Sequence, residues 1–166
     1  MTKDEWVNSH SAQRMLEALH HEQPEFLTTH ITQLHRFFIA CCWKHKHLIP
    51  QKRLRNGLRG AERWLAGEIS DDELDDLNWY AEAEAFMIDY AETPEEIKAL
   101  KELFEEVEEL NSMPFSDARR RMRDAAYFAE CSMIYSSLRK LPWIDRLFTS
   151  QFLCPDLLRK HIEPFP

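Results

Sequence analysis

Glycine is nearly missing from this chain, with 3 residues in 166. That scarcity excludes collagen-like and glycine-loop proteins and disfavours a turn-dense all-β fold, because tight hairpin turns draw on glycine for positive φ. No apolar run is long enough for a transmembrane helix, so no membrane association is expected. No apolar stretch of the signal-peptide kind follows Met1 to Trp6, and a cytoplasmic location is the expectation. Also absent are Gly-x-Ser-x-Gly, a phosphate-cradling glycine loop, a dinucleotide fingerprint and His-Glu-x-x-His. No nucleophile–base pair can be named without them, and no cofactor is implied.

Positive charge is missing from one long stretch: no Lys or Arg stands between Trp64 and Ile97. Residues 64–111 carry 2 basic against 17 acidic side chains, whereas residues 1–63 carry 10 against 6 and residues 112–166 carry 9 against 6. The plain reading of an acidic middle between two basic flanks is that the segments fold together and partly neutralise. The sharper reading is an acidic surface whose field draws in a basic partner. The net charge of −8 disfavours nucleic-acid binding by the whole molecule, which needs clustered positive charge.

What is present is a globular composition, 44% hydrophobic and 30% charged, in a chain of single-domain length. A domain of this size buries about 70% of its unfolded surface and needs neither metal nor disulfide to stay folded. Helix signals are dense. Thr2 with Glu5 makes a capping box, and Ser11 opens a helix with Met15, Leu16 and Leu19 on one face. Pro24 starts a longer helix through Leu27, Ile31, Leu34, Phe37, Phe38 and Cys41 that ends before Pro50. A helix over 51–66 buries Leu54, Leu58, Ala61, Trp64 and Leu65, and Gly67 stops it. Ser70 with Glu73 opens a helix through Leu74, Leu77, Ala81, Ala85 and Met87. Thr93-Pro94-Glu95-Glu96 begins another, striped by Ile97, Leu100, Leu103, Phe104, Val107 and Leu110. Ser116-Asp117 begins a helix through Met122, Ala125, Ala126, Ala129 and Met133 toward Leu138, and two short helices follow around Pro142 and Pro155. The expectation is an all-α, single-domain bundle of about seven helices with short connections over residues 1–166.

Few residues suggest chemistry. Cys41, Cys42, His45 and His47 are the right ligand types for zinc, with Cys41 and His45 at i, i+4. Adjacent cysteines on a helix point about 100° apart, and Lys44 and Lys46 repel a cation, so buried core cysteines are the plainer reading. Glu17 and His20 make one Glu-x-x-His unit, but a di-iron bundle needs a second. His20, His21, His30 and His35 are read as solvated or hydrogen-bonded. Arg119, Arg120, Arg121 and Arg123 fan around a helix and are read as partners of the acidic helices; the lesser reading is a nucleic-acid or phosphorylated ligand. Asp71, Asp72, Asp75 and Asp76 suit a helix N-terminus. Trp79, Tyr80 and Phe86 are candidate interface aromatics. Phe37, Phe38 and Ile39 form an apolar belt wider than one core stripe, which suggests a homodimer.

The opening Thr2-x-x-Glu5-Trp6, Met15-Leu16-Glu17-x-Leu19, Ala40-Cys41-Cys42 and His47-Leu48-Ile49-Pro50 follow one another in a suggestive order. Arg53, Ala61-Glu62-Arg63-Trp64-x-x-Gly67 and Ser70-x-x-Glu73-Leu74 continue it, and Cys154-Pro155-Asp156-Leu157-Leu158-Arg159 with Pro164-Phe165-Pro166 close it. In these segments the chain resembles a family of uncharacterised small bacterial all-helical proteins. The resemblance implies a small helical protein with the Cys-Cys pair as a shared feature. It carries no activity, cofactor or substrate, and His45 departs from it.

The functional expectation is a non-enzymatic interaction or adaptor module presenting an acidic helical face, residues 70–110 with Glu102, Glu105, Glu106 and Glu109, to a basic protein. The rival is a metal-binding or thiol-based enzyme or sensor at Cys41, Cys42 and His47, joined by Cys154 if the C-terminal segment packs beside that helix. A weaker rival is nucleic-acid binding through the Arg119–Arg123 helix.

Overall fold

The computed structural model describes residues 1–137 and 144–165; the expectations that fall on Leu138, Pro142 and Pro166 lie outside them. In chain order the helices are α1 (Lys3–Asn8), α2 (Ala12–Glu22), α3 (Pro24–Thr29), α4 (Ile31–Lys44), α5 (Lys52–Leu65), α6 (Asp71–Tyr90), α7 (Pro94–Glu105), α8 (Glu108–Asn111), α9 (Phe115–Met133), α10 (Asp145–Phe148) and α11 (Pro155–His161). A single 3-10 turn, Lys46–Leu48, links α4 to α5. There is no strand among the described residues, and seven of the helices have at least 7 residues. The protein is an all-α bundle. None of the described helices is long and apolar enough to cross a membrane.

Local chemistry sets most boundaries. Complete capping boxes start α1 (Thr2, Glu5), α6 (Ser70, Glu73) and α7 (Thr93, Glu96), each satisfying otherwise orphaned N–H groups. Gly67, at φ 74°, takes the left-handed position that closes α5. Two expected helices are divided. The helix from Pro24 breaks at His30, where Thr28 and Thr29 hydroxyls bond back to the Glu25 carbonyl at 2.8 and 3.0 Å and disturb the ladder. The helix from Pro94 stops at Glu105, and α8 begins after Val107. Continuing it would place four glutamates, 105, 106, 108 and 109, at a helix C-terminus, against the macrodipole; the break moves Glu108 and Glu109 to an N-terminus instead.

α9 is the hub, packing against α4, α5, α6, α7, α8 and α10. Its inner face is made of small residues, Ala118, Ala125, Ala126 and Ala129, which let neighbours approach closely. α5 and α6 form the tightest pair, with Gly57 and Gly60 of α5 at the contacts. A Cβ on Gly57 would overlap the Met133 thioether and one on Gly60 the Leu77 side chain. The aromatic centre of the core is Phe38, within 4.8 Å of Tyr135, 5.1 Å of Phe37 and 5.4 Å of Phe148 between ring centroids. Phe37, Phe38 and Ile39 are all buried by the chain itself, so that belt offers nothing to a second copy.

Two helix ends are completed from across the fold. Glu84 of α6 accepts hydrogen bonds from the Arg53 and Leu54 backbone N–H groups at 3.0 and 3.3 Å, so a carboxylate sits at the positive end of α5. Arg119 of α9 donates to the carbonyls of Ile88 (2.7 Å), Asp89 (2.7 Å) and Ala91 (3.0 Å), closing the C-terminal end of α6.

Candidate functional site

α6 holds 20 residues, eight acidic and none basic. Its buried stripe is Leu74, Asn78, Ala81, Ala85 and Ile88. Asn78 is admitted to the core because its amide donates to the Glu130 carboxylate at 3.2 Å. The 3.6-residue period carries that stripe through position 88, which leaves Met87 outside it: the side chain expected in the core is 59% exposed.

The outer face of the same helix is where the large apolar side chains stand. Trp79 is 65% and Tyr90 70% exposed, and Tyr80, Phe86 and Met87 join them. At about 100° per residue these five fall within an arc of about 120°. Asp72 and Asp76, also exposed, occupy the N-terminal part of that arc. Trp79 and Tyr80 meet edge to face at 5.1 Å, and Phe86 and Tyr90 at 6.0 Å. Single exposed apolar residues are ordinary on a protein surface; a contiguous row of them on an acidic helix is not. Met87 and Tyr90 were missed in the sequence. Tyr90 could have been found from its spacing, eleven residues (three helical turns) after Trp79.

The expected acidic residues divide. Glu102, Glu105 and Glu106 are exposed, with Glu102 paired to Lys98 at 3.9 Å. Glu109 faces inward, bonded to Arg121 at 2.8 Å and His47 at 3.1 Å. Burial opposes ionisation of Glu109, but those two partners outweigh it and hold its pKa below the ordinary value. The arginine run is taken up in the same way. Arg119 closes α6, Arg121 holds Glu109, Arg123 reaches Asp124 at 3.1 Å and Asp89 at 3.7 Å, and Arg120 pairs with Asp117 of its own helix. A polar cleft of about 470 Å³ lies beside Arg123, Tyr127 and Arg146. Its charges are largely paired with one another, Tyr127 donating to Asp89 at 2.6 Å beneath the Arg146 guanidinium.

The cysteine–histidine residues do not converge. Cys41 and Cys42 are fully buried, and burial pushes the Cys41 thiol up to about 12 and Cys42 further in the same direction. His45 caps the end of α4 with its ring 5.2 Å from Phe152, and His47 is engaged by Glu109. Among the described residues no group of three or more His, Cys, Asp or Glu could hold a metal ion. Glu17 bonds to Gln13 at 2.8 Å, while His30 stacks on Phe26 and His35 is wholly buried.

The C-terminal segment does pack beside α4. Lys44 Nζ lies 2.9 Å from Cys154 Sγ. Burial alone would raise the Cys154 pKa, but the Lys44 ammonium and the Leu157 and Asp156 backbone N–H groups outweigh it and lower it.

One buried group has no partner. The Gln51 side chain, 8% exposed, finds no hydrogen-bond partner for either Nε2 or Oε1 among the described residues. It lines an apolar pocket of about 110 Å³ between α6 and α7 that reaches the surface beside Met87.

No family model, no curated protein and no solved structure matches the chain.

Proposed function

We propose that this protein is an interaction module in which the outer face of α6 receives a basic segment of another protein. The observation that supports it is the row of exposed Trp79, Tyr80, Phe86, Met87 and Tyr90 on a helix with eight acidic side chains and no basic one. Aromatic side chains are the usual anchors of protein interfaces, and an acidic surround favours Lys- and Arg-rich partners while speeding their encounter. A second copy of the same face would bring like charges together. Glu102, Glu105 and Glu106 of α7 extend the field, whereas Glu109 belongs to the internal network with Arg121 and His47.

For a partner recovered with the intact protein, Trp79→Ala and Tyr90→Ala together are expected to weaken binding by at least about tenfold, the loss typical of a central aromatic anchor. Lysine substitutions at Glu102, Glu105 and Glu106 should slow association and flatten its salt dependence. Wild-type affinity in the Trp79/Tyr90 double variant, measured by calorimetry, would remove this reading.

The thiol reading has one observation in its favour, the Lys44–Cys154 pair, and it centres on Cys154 rather than on Cys41, Cys42 and His47. Iodoacetamide at pH 7.5 is expected to alkylate Cys154 ahead of Cys41 and Cys42, because the thiolate is the reactive form. Lys44→Met should slow Cys154 and leave the other two unchanged, as read by peptide mass spectrometry over time. Equal rates at all three positions would count against an activated thiol.

A further inference from the structure

We propose that the pocket between α6 and α7 anchors the basic partner: one aliphatic side chain of leucine size enters it, and the adjoining peptide unit of an extended segment pairs with the Gln51 carboxamide. The inference rests on the acidic-face reading above and names what that face binds. Three observations carry it.

The first is Gln51 itself, whose amide nitrogen and oxygen are both buried without a partner among the described residues. A buried donor and acceptor left unmatched are unfavourable, and a ligand that matches both removes the penalty at one stroke. A peptide unit offers an N–H and a C=O in complementary positions and forms two parallel hydrogen bonds with a carboxamide. A helical ligand has these groups bonded internally, so the segment is extended.

The second is the shape and chemistry of the cavity. At about 110 Å³, walled by Ile88, Ala91, Leu100 and Leu103, it suits one aliphatic side chain and excludes an aromatic one. The third is its setting. Met87 stands on its rim and is also part of the exposed row on α6, so pocket and row form one continuous surface. Glu84 and Glu96 line the pocket as well. Each uses its Oε2 to accept backbone N–H groups, Arg53 and Leu54 for Glu84, Glu92 and Thr93 for Glu96. Their charges favour Lys or Arg on either side of the anchor.

The test uses the full chain, labelled with nitrogen-15, and the peptide acetyl-Lys-Arg-Leu-Lys-Arg-amide. Titration is expected to shift the Gln51 side-chain amide resonances together with the Trp79 indole N–H. Replacing the peptide's leucine by glycine should weaken binding at least tenfold, and Gln51→Met should do the same without lowering the melting temperature. Ala99→Phe, which fills the pocket from its wall and leaves Gln51 in place, should abolish the preference for leucine over glycine. Shifts at Trp79 without any at Gln51 would overturn the pocket assignment and leave the acidic-face reading standing. Shifts at neither would remove both. A Gln51 amide that exchanges magnetisation with water and ignores the peptide would also overturn it, the pocket then being a hydration site.

Discussion

Between pH 7.5 and pH 5 the protein is expected to lose about 2 kcal/mol of stability through His35 alone, rising to about 3 kcal/mol near pH 4. The ring is fully buried, with Nδ1 2.7 Å from the Ser136 hydroxyl and Nε2 3.1 Å from the Met133 carbonyl. The carbonyl can only accept, so Nε2 carries the proton and Nδ1 accepts from Ser136; the neutral tautomer satisfies both contacts. A second proton on Nδ1 would break the bond from the hydroxyl's hydrogen and place a charge among Trp64, Tyr135 and the core. Burial accordingly lowers the His35 pKa from 6.5 to about 4, against the opposing effect of its backbone hydrogen bonds. The unfolded chain takes up the proton near pH 6.5 and the native one only near pH 4, so acid favours unfolding throughout that window. Stability is fully present above pH 6.5 and lost as the pH falls toward 4. Urea unfolding at a series of pH values measures the slope. His35→Gln, less stable at pH 7.5, should show a slope reduced by about 2 kcal/mol over the same interval. If it keeps the wild-type slope, the proton is being taken up elsewhere.

Arg119→Ala should cost about 3 kcal/mol, a fall of roughly 6–12 °C in melting temperature for a chain of this size. The guanidinium makes three hydrogen bonds to carbonyls at the C-terminal end of α6, where no further turn of helix exists to receive them. It also brings positive charge to the negative end of the helix dipole. Removal leaves partly buried carbonyls without donors and loosens the junction that sets Tyr90 and Ala91 against α7. Arg119→Lys should recover less than half of the loss, because an ammonium cannot fork across acceptors as a planar guanidinium does. A loss below about 1 kcal/mol for the alanine variant would mean that the carbonyls find other donors.

The helical architecture was legible in the sequence because its signals are local. Thr2 and Glu5, Ser70 and Glu73, and Thr93 and Glu96 act within four residues, and Gly67 needs only its own backbone. The acidic middle and its pairing with the Arg119–Arg123 helix were also readable, since charge imbalance needs no geometry. What escaped depends on neighbours far away in the chain. The break at Val107 follows from which end of a helix the glutamates must occupy, and Met87 was misplaced by one position because its surroundings are set by α5 and α9. Trp79 and Tyr80 were recognised as candidates from residue type alone. Gln51 carried no signal, for an unmatched amide can be seen only when the walls around it are known.

The central position of α9 has a consequence for the order of events during synthesis. Residues 1–114 can form α4, α5 and α6, but the inner faces of all three are completed only by a helix that is made afterwards. Ribosomes add about 5–20 residues per second, so the 19 residues of α9 take roughly 1–4 s to follow. Throughout that interval Phe38, Met15 and the glycine face of α5 wait uncovered by their final neighbours. The nascent chain is then most exposed to chaperones and to misassociation, and a stop codon placed before Phe115 would make that brief state permanent.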